Sequence, residues 1–192
     1  MSDKKGITVY CGSSSGADVR YAEAARELGA AIARAGLELV YGGGHMGLMG
    51  EVGRAVIASG GKATAVIPQF MVERGWNDRS ATTTIATESM HERKSTMASL
   101  ARGVIALPGG VGTWEELCEI ITWRQLGLFH GNIVVLNVAG YYDPWIDQFE
   151  AAIAQGFIPA AHRTLFVVTD DASKAVALAS AEPSGEAPAA KF

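Results

Sequence analysis

Residues 104–112 read Val-Ile-Ala-Leu-Pro-Gly-Gly-Val-Gly, a short and uninterrupted apolar segment that ends in a glycine-rich turn. A strand without polar alternation is typical of a parallel sheet that helices cover on both faces. The same order of apolar run and glycine turn occurs twice more, in residues 7–12 and 37–44. This pattern favours an α/β fold.

Outward from this segment, candidate strands alternate with helical patterns along the whole chain. The predicted strands are Ile7–Cys11, Leu37–Tyr41, Ala63–Ile67, Thr83–Ala86, Val104–Leu107, Ile133–Asn137 and Leu165–Val168. Residues 18–35 have apolar side chains at helical spacing and stop before Gly36. Another helix is predicted with Asp143 as N-cap, Pro144 at its first position, and an end at Gly156. The alternation predicts a Rossmann-like, doubly wound parallel sheet in three layers.

The length and composition of the chain are those of a single globular domain. It has 192 residues, of which 48% are hydrophobic and 19% charged, enough to bury a sizeable core. We therefore predict one domain over residues 1–180. Residues 181–192, AEPSGEAPAAKF, are small, polar and proline-bearing, and predict a disordered tail.

Charge and hydropathy exclude several classes of protein. The formal net charge is −4 and no basic run extends beyond Lys4-Lys5, which argues against nonspecific binding to nucleic acid. No stretch of eighteen uninterrupted apolar residues occurs and the chain starts without a long apolar segment, so we expect a cytoplasmic protein without a membrane partner. Cys11 and Cys118 match no metal-ligand spacing and are expected to be reduced core residues.

Glycine-rich turns at residues 11–16, 42–47 and 108–113 each follow a predicted strand. In a parallel sheet all three lie at the carboxyl edge, where ligands of this fold bind. Glycines expose backbone N–H groups and the following helix adds a partly positive N-terminus. Each turn alone is explained by a tight strand-to-helix connection, but three at one edge favour a phosphate-binding site. The predicted phosphate-binding residues are Ser13, Ser14, Gly44, Gly109, Gly110, Val111, Gly112 and Thr113.

The second turn also fits the dinucleotide motif G-x-G-x-x-G, with Gly42, Gly44 and Gly47. The next strand, however, ends in Ile67-Pro68-Gln69 and offers no acidic residue for a ribose, which disfavours a nicotinamide cofactor. The P-loop motif G-x-x-x-x-G-K-[ST] is absent from the sequence. The sequence therefore favours neither a nicotinamide cofactor site nor a P-loop nucleotidase.

Arg93 occupies an unusual position for a charged residue. On a helix predicted from Ser89 to Ala101 it shares one face with three apolar residues, Met90, Met97 and Leu100. A buried arginine needs an anionic partner. This partner is either a core carboxylate in a structural salt bridge or a ligand in the cleft at the sheet edge. Lys94, about 100° further round the helix, either flanks the same site or faces solvent.

Two segments predict capping boxes at helix starts: Ser89–Glu92 and Thr113–Glu116, the second of the form T-x-x-E. For Glu92 the structural role is a sufficient explanation. For Glu116 a catalytic role competes with capping, because a phosphate loop would bring this helical turn close to the ligand.

Four motifs in order resemble the "lonely guy" family of cytokinin riboside 5′-monophosphate phosphoribohydrolases, once widely labelled lysine decarboxylases. Residues 108–116 match P-G-G-x-G-T-x-x-E, residues 90–94 match M-H-x-R-K, and residues 11–14 and 42–50 match the two other loops. The resemblance covers roughly residues 6 to 180, a single-domain span.

The resemblance implies a homodimer that hydrolyses the N-glycosidic bond of nucleoside 5′-monophosphates, such as AMP and N6-substituted cytokinin nucleotides. Free base and ribose 5-phosphate are released, with no metal or organic cofactor. The resemblance makes Arg93 and Glu116 the catalytic pair. It also adds Glu88, Met90 and Lys94 to the predicted substrate-binding residues. Glu88-Ser89 stands where many relatives have other small or acidic residues, which leaves the base preference open.

Three alternatives remain at this point. A pyridoxal phosphate decarboxylase needs a Schiff-base lysine, and only Lys94 among six lysines lies near the predicted site. The others are a nonenzymatic nucleotide-binding module and a hydrolase for other purine or pyrimidine monophosphates.

The helix after the phosphate loop also has more apolar residues than one packed face needs, which agrees with a dimer or with an unusually central helix. These residues are Trp114, Leu117, Ile120, Ile121, Trp123, Leu126 and Leu128.

Overall fold

A computed structural model describes residues 6–183 of the chain, which are built around one seven-stranded parallel sheet. The strands are β1 (Gly6–Tyr10), β2 (Glu38–Tyr41), β3 (Lys62–Pro68), β4 (Thr83–Thr87), β5 (Ala101–Ala106), β6 (Ile133–Leu136) and β7 (Val167–Thr169). Their order in the sheet is β4-β3-β2-β1-β5-β6-β7, and every neighbouring pair is parallel. All seven predicted strands are present, and the predicted fold class is confirmed.

Helices cover both faces of the sheet. They are α1 (Val19–Arg34), α2 (Gly47–Ala58), α3 (Gln69–Glu73), α4 (Met90–Leu100), α5 (Val111–Gln125), α6 (Asp143–Ala154) and α7 (Ala172–Ser180). Apolar side chains of α1, α2 and α7 pack into one core. Those of α4, α5 and α6 pack into a second core with the other sheet face. The result is the predicted three-layer arrangement.

Local signals explain where the helices begin and end. The Asp18 carboxylate accepts a hydrogen bond from the Arg20 amide at 2.9 Å, which caps α1. Gly36, with φ of +66°, ends this helix as predicted. The predicted N-cap of α6 was wrong by one residue, because Asp143 is already helical and Tyr142 is the N-cap. The Asp143 carboxylate is instead engaged by the Asn137 side-chain amide at 2.7 Å.

The site is positioned by the strand order. From β1 the chain adds β2, β3 and β4 on one side, then crosses over and places β5 on the other side of β1. Such a switch point leaves a crevice at the carboxyl ends of the two central strands. The loops after β1 and β5 meet there, where the Gly12 amide donates to the Pro108 carbonyl oxygen at 3.0 Å.

The described range limits two of the predictions. Residues 184–192 of the predicted tail, and residues 1–5 of the predicted domain, lie outside it. Within residues 6–183, no helix combines the length and the apolar character needed to cross a membrane.

Candidate active site

A cleft of about 690 Å³ opens above the carboxyl ends of β1 and β5. This is the size of a small-molecule site. Residues of all three predicted glycine turns line it: Gly12, Ser13, Ser14, Gly42, Gly44, Pro108, Gly109, Gly110, Gly112 and Thr113. The turns that the sequence placed at one edge of the sheet therefore converge on one cavity.

Arg93 and Glu116 form a buried ion pair in this cleft. Helix α4 supplies the arginine and α5 the glutamate, with Nη1 of Arg93 3.2 Å from Oε1 of Glu116 and both side chains less than one-tenth exposed. Nε of Arg93 donates to the Val66 carbonyl oxygen at 3.2 Å. Both residues line the cleft. Arg93 therefore forms a buried salt bridge to a carboxylate and also lies in the cleft at the sheet edge, so both alternatives considered for it apply. Its partner is a carboxylate, and that carboxylate is the other predicted catalytic residue.

A glycine makes this position of Arg93 possible. A Cβ atom added to Gly42 would lie 1.8 Å from Nη2 of Arg93, so any side chain here would displace the guanidinium group. In the turn after β2, the absence of a side chain at Gly42 thus leaves the space that the Arg93 guanidinium group occupies.

Burial raises the pKa of Glu116 to about 7, although the Arg93 charge opposes this shift and the Glu115 charge adds to it. A carboxyl group with a pKa near 7 exchanges its proton at physiological pH, as a general acid or base requires. Tyr10 and Cys11 lie close by, and burial raises the pKa of each well above its usual value, so both remain neutral. Glu116 is thus the acidic group beside Arg93 that titrates near neutrality.

The start of α5 differs from the sequence prediction. The helix begins at Val111 with Gly110 as N-cap, and no side chain caps it. The predicted T-x-x-E capping box was wrong, because Thr113 is already the third helical residue and the Glu116 side chain pairs with Arg93. Uncapped first-turn N–H groups lack intrahelical partners and can bind an anion. By contrast, half of the predicted box of α4 is present: Ser89 Oγ accepts from the Glu92 amide at 3.1 Å, while the Glu92 carboxylate accepts from the Glu88 amide rather than from the Ser89 amide.

Eight predicted substrate-binding residues line the cleft, namely Ser13, Ser14, Gly44, Met90, Gly109, Gly110, Gly112 and Thr113. Three others are not among its lining residues. Val111 is 75% exposed. Glu88 is exposed, and its amide donates to Oε2 of Glu92 at 2.7 Å. Lys94 neither lines the cleft nor faces solvent, because its buried side chain pairs with two glutamates of α5.

The surroundings of Lys94 bear on the decarboxylase alternative. Burial alone would lower the pKa of Lys94, but hydrogen bonds to Glu115 and Glu119 outweigh it and raise the pKa above its usual value. A Schiff base needs a neutral amine that can reach the cofactor. The buried, doubly paired ammonium group of Lys94 is unsuited to that chemistry. Within residues 6–183, no group of three or more His, Cys, Asp or Glu residues could hold a metal ion.

Several cleft residues were missed by the sequence analysis. Tyr141 lines the cleft, and its hydroxyl group donates to the Gly109 carbonyl oxygen, which ties the loop after β6 to the loop after β5. The Tyr21 ring packs edge-on against Tyr141, with centroids 5.8 Å apart. Trp76 and Met71 add apolar surface from the segment after β3. These residues belong to no motif; for Tyr141 the available signal was its position after the carboxyl end of a predicted strand.

Known proteins resemble this chain in both sequence and fold. A family model described as possible lysine decarboxylase matches residues 49–179. A cytokinin riboside 5′-monophosphate phosphoribohydrolase of Oryza sativa subsp. japonica is 43% identical over 170 residues, covering 88% of this chain and 70% of the relative. The enzyme of the same name from Rhodococcoides fascians is 42% identical over 174 residues, covering 90% and 88%.

Solved structures share the fold at lower identity. The molybdenum cofactor carrier protein of Chlamydomonas reinhardtii superposes with a TM-score of 0.69 at 22% identity, covering 91% of this chain and 94% of that one. The molybdenum cofactor binding protein of Rippkaea orientalis gives a TM-score of 0.70 at 18% identity, covering 92% and 96%. At these identities the likeness concerns the fold alone.

Proposed function

The chain belongs to the cytokinin riboside 5′-monophosphate phosphoribohydrolase family, whose model is described as possible lysine decarboxylase, and we propose that it hydrolyses the N-glycosidic bond of nucleoside 5′-monophosphates. Its substrates on this proposal are AMP and N6-substituted adenine nucleotides, and its products are the free base and ribose 5-phosphate. The observation that carries the proposal is the buried Arg93–Glu116 pair in a cleft bordered by three glycine turns.

Glu116 has the properties that this hydrolysis requires. Cleavage of an N-glycosidic bond builds positive charge at the anomeric carbon, as in glycoside hydrolysis. A buried carboxylate stabilises that charge strongly, because little solvent screens it. With a pKa of about 7, the carboxylate also orients the attacking water and accepts its proton.

Arg93 serves this reaction as a fixed cation and hydrogen-bond donor. Its guanidinium group does not lose a proton in proteins, so it is a poor general acid. With Nη1 on Glu116 and Nε on the Val66 carbonyl oxygen, it favours the ionised form of Glu116. The donors of Nη2 remain for the substrate's ribose, phosphate or departing base.

The glycine turns supply binding energy at a distance from the reacting bond. The uncapped start of α5 and the turn after β1 offer backbone N–H groups and the hydroxyl groups of Ser13 and Ser14 to a 5′-phosphate. Binding energy at the phosphate positions the ribose against Glu116. Ile67, Met71 and Trp76 supply apolar surface for a planar base.

Base release from a panel of nucleotides tests the proposal. AMP, N6-isopentenyl-AMP, GMP, CMP, UMP and adenosine are incubated with the protein, and free base is measured chromatographically. Phosphate contacts at a helix start are worth several kcal/mol together, so kcat/KM for AMP should exceed that for adenosine by about a hundredfold or more. Equal values would contradict a phosphate site. Binding of AMP without base release would instead indicate a nonenzymatic module.

We also propose that two copies of the chain associate. Leu117, Ile120 and Ile121 of α5 are buried within the chain. Other apolar residues of the same helix and its end remain exposed: Val111, Trp114, Leu126 and Leu128. A homodimer would bury part of this surface. Sedimentation velocity at micromolar concentration should show a dimer, and a monomer would contradict the proposal.

A further inference from the structure

Lys94 connects two helices beside the Arg93–Glu116 pair. Its Nζ lies 3.1 Å from Oε1 of Glu119 and forms a second, shorter ion pair with Glu115. The Lys94 side chain is 7% exposed, whereas those of Glu115 and Glu119 are 51% and 28% exposed. The cation is therefore the buried member of this cluster, and both carboxylates turn inward to it.

The two helices meet through two adjacent sets of ion pairs. Arg93 and Lys94 are consecutive on α4, and Arg93 pairs with Glu116. On α5, Glu115 and Glu119 are four residues apart and share one face, while Glu116 lies about 100° away. Two cations thus meet three carboxylates, and Glu115 lines the same cleft as Glu116.

We propose that Lys94 is a positioning residue of the active site, which holds Glu115 and Glu119 so that Arg93 remains the partner of Glu116. This inference rests on the hydrolysis proposed above. Lys94 itself does not line the cleft and touches no substrate. It acts through the charges on α5, so it differs from the substrate-binding role that the sequence predicted for it.

Loss of the Lys94 charge should alter the environment of Glu116 in a defined direction. The charged groups that face Glu116 are Arg93 and Lys94 from α4 and Glu115 and Glu119 from α5. The neutral groups near it are Tyr10 of β1, Cys11 just after β1, and Tyr142 at the start of α6. Removing one cation leaves two carboxylates uncompensated, and these disfavour the ionised form of Glu116. Glu115 would also compete with Glu116 for Arg93.

The test compares Lys94→Met, which keeps the length of the side chain, with Lys94→Arg, which keeps its charge. The pH profile of kcat for AMP and a 13C NMR titration of glutamate carboxyl groups are measured for each. The Glu116 signal is identified by its absence from Glu116→Gln. We expect Lys94→Met to move both midpoints up by about one pH unit. The resulting loss of kcat is about tenfold at pH 6 and much smaller at pH 9, with KM for AMP changed less than about threefold.

Lys94→Arg should leave both midpoints near the wild-type value. The double variant Lys94→Met/Glu115→Gln removes one charge of each sign and should restore them. An unchanged midpoint in folded Lys94→Met would overturn the proposal. So would a large increase of KM for AMP at constant kcat, which would mean that Lys94 contacts the phosphate.

Should Lys94→Met fail to fold, Lys94→Gln takes its place, because an uncharged amide still donates hydrogen bonds to Glu115 and Glu119. The Glu116 midpoint should again move up in this variant, while no movement would overturn the proposal. The NMR titration needs no turnover. If the wild-type protein cleaves no nucleotide, the proposed function is refuted. The effect of Lys94 on the Glu116 titration midpoint is measured all the same, because the NMR titration does not depend on activity.

Discussion

Replacing Glu116 with glutamine keeps the size of the side chain and removes one negative charge. Because this side chain is 7% exposed, solvent screens it weakly. At an effective dielectric constant of about 20, two unit charges about 4 Å apart interact by about 4 kcal/mol. The positive charge in the transition state is only partly developed, so we expect a loss on the order of 3 kcal/mol. This corresponds to a decrease of kcat by about a hundredfold or more.

The assay is adenine release from AMP at pH 8, where wild-type Glu116 is ionised. Glu27→Gln, the same substitution at an exposed position of α1, is the matched control and should turn over like the wild type. Calorimetry with ribose 5-phosphate and a thermal melt establish that Glu116→Gln is folded and binds. If this folded variant still releases adenine at nearly the wild-type rate, Glu116 has no part in the mechanism.

Three further predictions follow from the same pair. The pKa of Glu116 is raised from 4.5 to about 7 in the folded protein, so its contribution to stability is largest below about pH 4.5 and is lost as pH rises through 7. Thermal melts at a series of pH values should therefore show Tm of the wild type falling over this range, and a smaller fall in Glu116→Gln. Arg93→Ala should abolish AMP turnover and lower Tm, because it leaves a buried carboxylate unpaired. Retained turnover in that variant would make Arg93 purely structural. Gly42→Ala should push aside the guanidinium group, 1.8 Å from the new Cβ, and lower kcat with little loss of Tm; wild-type kcat would show that Arg93 tolerates the shift.

Sequence patterns were sufficient for the framework of the site. Apolar runs followed by glycine turns gave the strands and the edge where ligands bind, since both depend on local backbone properties. The helical stripe identified Arg93 as buried for the same reason. Such patterns do not identify the partner of Arg93, because Glu116 lies on another helix. The two residues meet only because α4 and α5 pack side by side against the sheet.

The incorrect predictions have physical causes. Thr113-x-x-Glu116 has the composition of a capping box, but the N-cap of α5 is Gly110, which lies three residues before Thr113. Lys94 was assigned to solvent or substrate because its partners, Glu115 and Glu119, are on a different helix. Tyr141 was missed because its role depends on a contact with Gly109, 32 residues away. The cases of Lys94 and Tyr141 depend on tertiary contacts, which periodicity and spacing do not encode.

The pairing of β1 with β5 has a consequence for how this protein acquires its activity. Gly6 of β1 pairs with Ala101 of β5, so these two neighbouring strands are separated in sequence by most of the first half of the chain. Closing so long a loop is entropically costly and slow compared with forming helices and neighbouring strands. During synthesis, β1 to β4 and Arg93 emerge before β5 and Glu116 exist. The Arg93–Glu116 pair is therefore among the last parts of the molecule to be assembled, and recovery of turnover on refolding should trail the recovery of helical structure.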